Sequence, residues 1–175
     1  MTVKQYGFYF ESNKCAECHA CEVACKGANN VDLGVHWRKV SVIWSGSFPN
    51  VSMTSISMSC MHCGKPACEA VCPTGAIHKR EEDGIVVVDQ SKCIGCHYCF
   101  FACPFGVPQY GDDGTMQKCE MCIERLEQGE NPACVNTCPA EALHFGTLEE
   151  LAQIASTASA VTLAGSTRPA MIVSK

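Results

Sequence analysis

Residues 93–104 read CIGCHYCFFACP, and residues 15–26 read CAECHACEVACK. Both follow C-x2-C-x2-C-x3-C, so Cys93, Cys96, Cys99 and Cys103 repeat the pattern of Cys15, Cys18, Cys21 and Cys25. Two further groups, Cys60-Cys63-Cys68-Cys72 and Cys119-Cys122-Cys134-Cys138, complete the 16 cysteines of this 175-residue chain. The repeated run is the spacing at which thiolates hold a cubane [4Fe–4S] cluster. A tight loop carrying three cysteines two residues apart can wrap three iron corners, and the fourth cysteine starts a helix and points away. Sixteen ligands at four per cluster imply four clusters, and a chain with four clusters is most simply a wire for single electrons.

Working outward, Pro73, Pro104 and Pro139 each follow the last cysteine of a group. Proline there stops regular structure and sets the exit direction. The first group has Lys26 instead. In two-cluster ferredoxins the fourth cysteine serves the neighbouring cluster. The repeat therefore predicts an α+β fold of two ferredoxin-like modules, each holding two clusters, with short strands, short helices and long cluster-binding loops.

The apolar fraction is 47%, but it counts the cysteines. The remainder is a thin supply for a core, so clusters are expected to act as internal cores, as metals do in other small domains. An even cysteine count also permits a disulfide framework, but such frameworks follow export signals, and MTVKQYGFYFESNK (1–14) has no apolar h-region. Zinc knuckles built on C-x2-C are a second alternative. They do not account for the C-x2-C-x2-C-x3-C run occurring twice. The formal charge is −5, and each loaded cluster would add roughly −2. No basic run points to nucleic acid. No apolar stretch approaches 18 residues, so no membrane span is expected and membrane contact would go through another subunit.

Between the motifs, QYGFYF (5–10) reads as a strand entering the first cysteine loop. EVACKGAN (22–29) reads as a short helix ending near Gly27. HWRKVSVIW (36–44) alternates as a strand buried on one face and partly on the other. SGSFPN (45–50) is its turn and VSMTSISMS (51–59) the partner strand. AIHKREEDGIVVVD (76–89) predicts a hairpin with Glu81, Glu82 and Asp83 in the turn. ERLEQGENPA (124–133) predicts the end of a helix, a turn at Gly129 and a return to Cys134. EALHF (141–145) is a closing strand, and Thr147 with Glu150 forms a capping box for TLEELAQIA. Residues 156–175 are small and polar, and read as a disordered tail or an arm lying on a partner.

The stretches NKCAECHACEVACK, SCMHCGKPACEAVCPTGAIHKREEDGIVVVDQSKCIGCHYCFFACPFGVPQY and KCEMCIERLEQGENPACVNTCPAEALHFG resemble the iron–sulfur subunit of the dimethyl sulfoxide reductase family of molybdopterin oxidoreductases. The resemblance runs from about residue 5 to 150 and implies that the motifs pair first with fourth and second with third. On that basis Cys15, Cys18, Cys21 and Cys138 would hold one cluster, and Cys25, Cys119, Cys122 and Cys134 its neighbour. Cys60, Cys63, Cys68 and Cys103 would hold a third, and Cys72, Cys93, Cys96 and Cys99 a fourth. Since Cys96 is present, all four sites are expected to be [4Fe–4S] rather than three-iron. The resemblance implies that the first cluster faces a large molybdenum- or tungsten-pterin catalytic subunit, and the last a membrane anchor or another electron partner. The modules would span 1–50 plus 112–155 and 51–111, leaving 156–175 as tail or docking arm.

Other residues carry weaker signals. His19, His62 and His97 lie inside motifs, but four thiolates per cluster suffice, so they are expected to modulate potential, line a contact or be solvated. Lys65, Lys79, Arg80, Lys92 and Lys118 flank cluster loops, where cations ease reduction or are ordinary surface lysines and arginine. Trp37 and Trp44 are expected to pack. Tyr98, Phe100, Phe101 and Phe105 are expected to shield a cluster from water. No catalytic constellation stands outside the cysteines. The sequence therefore predicts a non-catalytic electron-transfer subunit relaying electrons between a pterin subunit and a quinol-linked membrane subunit. Such a complex would be membrane-associated, with co-export to the extracytoplasmic face favoured over a cytoplasmic position. The alternatives are the small subunit of a soluble two-subunit enzyme, a free polyferredoxin, or a zinc-stabilised interaction module.

Overall fold

The computed structural model describes residues 4–163 and 165–174. The QYGFYF segment forms β1 (Tyr6–Phe10), in which Phe8, Tyr9 and Phe10 are all buried. After the first cysteine loop comes α1 (Ala20–Ala28). Next is a long antiparallel hairpin of β2 (Lys39–Ser47) and β3 (Asn50–Met58). Its strands stay paired out to Ser47 and Asn50, so the turn is two residues and not the six of 45–50. The hairpin is also more exposed than its alternation predicts. Val40 is its only buried residue on β2, and Ile43, Trp44 and Phe48 lie open to solvent. Alternation records which side chains share a face. It does not say whether anything covers that face, and here the outer hairpin extends past the body of the molecule.

The second and third cysteine groups carry α2 (Ala67–Ala70), the predicted hairpin β4 (Ile77–Lys79) with β5 (Val86–Val88), and α3 (Tyr98–Ala102). A small hairpin of β6 (Gln109–Tyr110) and β7 (Met116–Gln117) follows. The fourth group holds α4 (Ile123–Glu127), the Gly129 turn and α5 (Ala133–Asn136). The chain closes with β8 (Leu143–Thr147) and α6 (Leu148–Ala155). Both halves of the Thr147–Glu150 capping box are made.

The expectation of a disordered tail is corrected. This segment holds β9 (Ala160–Thr162) and β10 (Met171–Ser174), and β10 is buried along its whole length. The main sheet has the order β8-β1-β10-β9, with β10 parallel to β1 and antiparallel to β9. MIVS is short, and the small polar residues before it masked a strand that only pairing with β1 reveals. Pleating then sorts the side chains. Phe8, Phe10, Met171 and Val173 point to a core shared with Cys60, Cys119 and Cys134. Tyr9 and Ile172 point the other way, onto Leu151 and Ala155 of α6. The sheet thus has one helix on one face and cysteine loops on the other. Mixed helix and sheet in short pieces is the α+β class expected.

Candidate metal centres

The cysteine loops share a backbone signature. Two residues after the first cysteine of every group the chain turns left-handed: Glu17 (φ 54°), His62 (φ 40°), Gly95 (φ 65°) and Met121 (φ 59°). His19 and His97 repeat it four residues after the first cysteine in the two matching runs. Such angles cost a non-glycine residue roughly 1–2 kcal/mol, and they cluster where function over-determines the backbone. The twist turns N–H groups inward: Met121 N–H donates to Cys119 Sγ at 3.4 Å. Elsewhere Met116 N–H donates to Cys93 Sγ and Ala142 N–H to Cys138 Sγ, both at 3.3 Å. The motif histidines are therefore turn residues first. His62 is fully buried and accepts from Val86 N–H through Nδ1 at 3.0 Å. His97 stacks on Tyr110 with ring centroids 3.7 Å apart.

None of the 16 cysteines is in a disulfide. Cys15, Cys18, Cys21 and Cys138 line one small apolar cavity, walled by Phe10 and Leu143. Cys72, Cys93, Cys96 and Cys99 line another, walled by Ile77 and Met116. Cys25 is electrostatically coupled to Cys119, Cys122 and Cys134, and Asn29 Nδ2 reaches both Cys25 Sγ (3.9 Å) and Cys122 Sγ (3.7 Å). Cys68 is coupled to Cys60 and Cys103, and Cys63 to Cys103. Among the described residues, no three or more cysteine, histidine or carboxylate side chains converge on the position of a single ion. Zinc would draw its sulfurs to about 2.3 Å of one centre. Soft thiolate donors gathered in fours, as around these two cavities, are the ligands a multi-iron cluster takes.

Burial opposes free thiolates here. It pushes the thiols of Cys68 up to about 12 and Cys134 to about 11, and Cys25 higher still. As ligands these sulfurs must be deprotonated, so a bound cationic centre has to supply the compensating charge. The protein adds its own. Arg38 is 2% exposed and Lys118 4%. Arg38 is coupled to Cys134, Cys119, Cys21 and Cys25, while Lys118 acts on Cys60, Cys68 and Cys119. Lys79 is half-buried, and its Nζ donates to Cys63 O at 3.0 Å.

The remaining flanking residues differ. Arg80 pairs with Asp83 and Lys92 with Asp89 in ion pairs, and Lys65 is exposed. Tyr98, Phe100 and Phe101 do not shield: all are exposed, Phe101 by 83%. Phe105 does join the core. The shielding aromatic at the cavity of Cys72, Cys93, Cys96 and Cys99 is Tyr110, whose hydroxyl sits 3.3 Å from Cys99 Sγ. Trp44 is exposed too, and only Trp37 packs, donating Nε1–H to Gln117 at 3.3 Å. Sequence reasoning missed Arg38, Ser57, Tyr110 and Thr167. For Arg38 a signal existed, since it falls in the same alternation as Val40 in HWRKVSVIW. Thr167 is buried in the C-terminal segment, which caps the 60–65 loop through Gly64 N–H to Arg168 O (2.7 Å) and Ala170 N–H to Met61 O (2.8 Å).

A family description, the 4Fe-4S dicluster domain, matches residues 51–148. The chain is 46% identical over 166 residues to the probable anaerobic dimethyl sulfoxide reductase chain YnfG of Escherichia coli, covering 90% of this chain and 80% of that one. The chain belongs to the iron–sulfur subunits of the dimethyl sulfoxide reductase family of molybdoenzymes. It is also 43% identical over 150 residues to the thiosulfate reductase electron transfer subunit PhsB of Salmonella typhi, covering 83% and 78%. To the formate dehydrogenase iron-sulfur subunit of Wolinella succinogenes it is 36% identical over 170 residues, covering 84% of each. These relatives serve different substrates, so membership fixes the chemistry of this subunit class: it carries iron–sulfur clusters, transfers electrons and works with a catalytic partner.

Proposed function

We propose that this subunit relays electrons through four [4Fe–4S] clusters, between a molybdenum- or tungsten-pterin catalytic subunit and a quinol-linked membrane anchor. The observation that carries the number is the fourfold recurrence of a left-handed residue two positions after the first cysteine of each group. The ligand sets would be Cys15, Cys18, Cys21 and Cys138; Cys25, Cys119, Cys122 and Cys134; Cys60, Cys63, Cys68 and Cys103; and Cys72, Cys93, Cys96 and Cys99. The two four-cysteine cavities and the couplings among the remaining eight cysteines support this grouping. The sets fall into two modules, one from the first and fourth groups and one from the second and third. The C-terminal strand adds to the first by pairing with β1.

When bound, the clusters supply one-electron chemistry over potentials between about −700 and +450 mV. The residues of this chain set the conditions. Backbone N–H groups and the Tyr110 hydroxyl hydrogen-bond sulfur and favour its anionic form. Buried Phe8, Phe10, Met121 and Leu143 exclude water. Two exposed apolar surfaces suit partner docking: Ile43, Trp44 and Phe48 on the outer hairpin, and Ile94, Tyr98 and Phe101 in the third cysteine group. Among the described residues no helix is long and apolar enough to cross a membrane, so the membrane would be reached through the anchor, with the extracytoplasmic face the favoured side.

The test is metal analysis of the tagged chain, purified anaerobically from its own cells with whatever it retains. Iron at about 16 atoms per chain, with molybdenum or tungsten near stoichiometric, is the expected result. Iron near eight would remove two of the sites, and zinc in place of iron would end the redox reading.

A further inference from the structure

Arg38 precedes β2 and is buried to 2% exposure, yet no carboxylate pairs with it: the two that reach its hairpin, Glu22 and Glu17, accept from Val40 N–H and Ser55 Oγ. Among the described residues every ion pair lies elsewhere. Its Nη1 donates to Ser57 O (3.3 Å) and Ser57 Oγ (3.1 Å), and Nη2 donates to Ser59 Oγ (2.9 Å). Its guanidinium carbon lies 4.6 Å over the Phe8 ring. All of these partners are neutral. Nε has no nitrogen or oxygen partner at all. A buried cation left among neutral groups is strongly disfavoured, so buried charges are normally paired. The groups whose negative charge acts on it most are cysteine sulfurs: Cys134, Cys119 and Cys25 of one four-cysteine set and Cys21 of the other.

Resting on the ligand sets proposed above, we infer that Arg38 is the shared internal counter-cation of the two sites built from the first and fourth cysteine groups, and that it raises the reduction potential of both. A fixed positive charge beside a site that gains an electron favours the reduced form, and in a dry interior the effect is weakly screened. The side chain also has a positioning role. Because Ser57 Oγ accepts from Arg38, its own proton is free to donate to Cys21 Sγ, 3.5 Å away. One guanidinium thus acts on one set through a serine and on the other through space. Lys118 is placed differently, acting on Cys60, Cys68 and Cys119.

The experiment compares wild type, Arg38→Gln and Arg38→Lys in the anaerobically purified complex, by iron content and by redox titration followed by electron paramagnetic resonance. In Arg38→Gln, two of the cluster signals should lose about tenfold in reduced-to-oxidised ratio at fixed potential, a shift of about 59 mV for one electron. The other two should hold, and Arg38→Lys should stay nearer wild type. Unchanged potentials in iron-loaded Arg38→Gln would overturn the inference, as would equal shifts in the two variants, which would make the role one of shape. If Arg38→Gln loads poorly, a shortfall of about half the iron with full loading in Arg38→Lys supports the charge, and an equal shortfall in both overturns it. Wild type without iron would instead sink the underlying functional reading.

Discussion

At the scale of single residues, the chain spends its polar groups on holding loop ends and sulfurs. Glu11 closes the exit of β1. Burial works against its ionisation, but hydrogen bonds from Lys14 (2.8 Å) and His144 (2.7 Å) outweigh that and hold its carboxyl below the usual range. A depressed carboxyl contributes stability that is complete above its unfolded value, about 4.3, and is lost as pH falls through the folded value. The melting-temperature difference between wild type and Glu11→Gln should therefore be largest near pH 6 and shrink below about pH 4.3. A constant difference across that range would remove Glu11 from the acid response. The sixteen cysteines stood out as candidate ligands because residue type and spacing are local facts. The left-handed Glu17, His62 and Met121 were not, because nothing in glutamate, histidine or methionine announces a positive φ.

At the scale of elements, local signals performed well and long-range ones poorly. The Thr147–Glu150 capping box reads directly from four residues, and the helix it opens is the one observed. Thr147→Ala should lower stability by about 1 kcal/mol in chemical denaturation, with iron content unchanged. The strand β10 shows the opposite case. Met171 and Ile172 are adjacent and both buried, but the pleat sends them to different faces, Met171 to the cysteine core and Ile172 to α6. Replacing either by alanine should cost about 2–5 kcal/mol. Only Met171→Ala should also speed release of iron to a chelator, because only it opens a path toward the cysteine loops. Equal release rates would mean that the sheet does not partition the interior in this way. The exposed β2–β3 hairpin carries the same lesson: periodicity gives the face, and only neighbours decide burial.

At the scale of the whole molecule, the core is small and much of it is sulfur. Cys60, Cys119 and Cys134 are part of the largest buried cluster, beside Phe8, Phe10 and Leu143. Removing the metal would leave buried thiols and the buried cation Arg38 without an ion-pair partner, so anaerobic chelation should unfold the chain and not yield a folded apoprotein. Tryptophan fluorescence and circular dichroism should lose structure in step with iron. Native-like spectra after complete iron loss would show that the polypeptide core suffices alone. The sequence by itself determined the cysteine groups, the tight loops, the hairpins and the helix caps, since each depends on residues a few positions apart. Only the tertiary structure decided that the last strand lies beside the first, that the outer hairpin is left uncovered, and that Arg38 is buried without an ion-pair partner. Those facts depend on segments more than a hundred residues apart, or on what covers a surface, and the packing of the whole chain settles them.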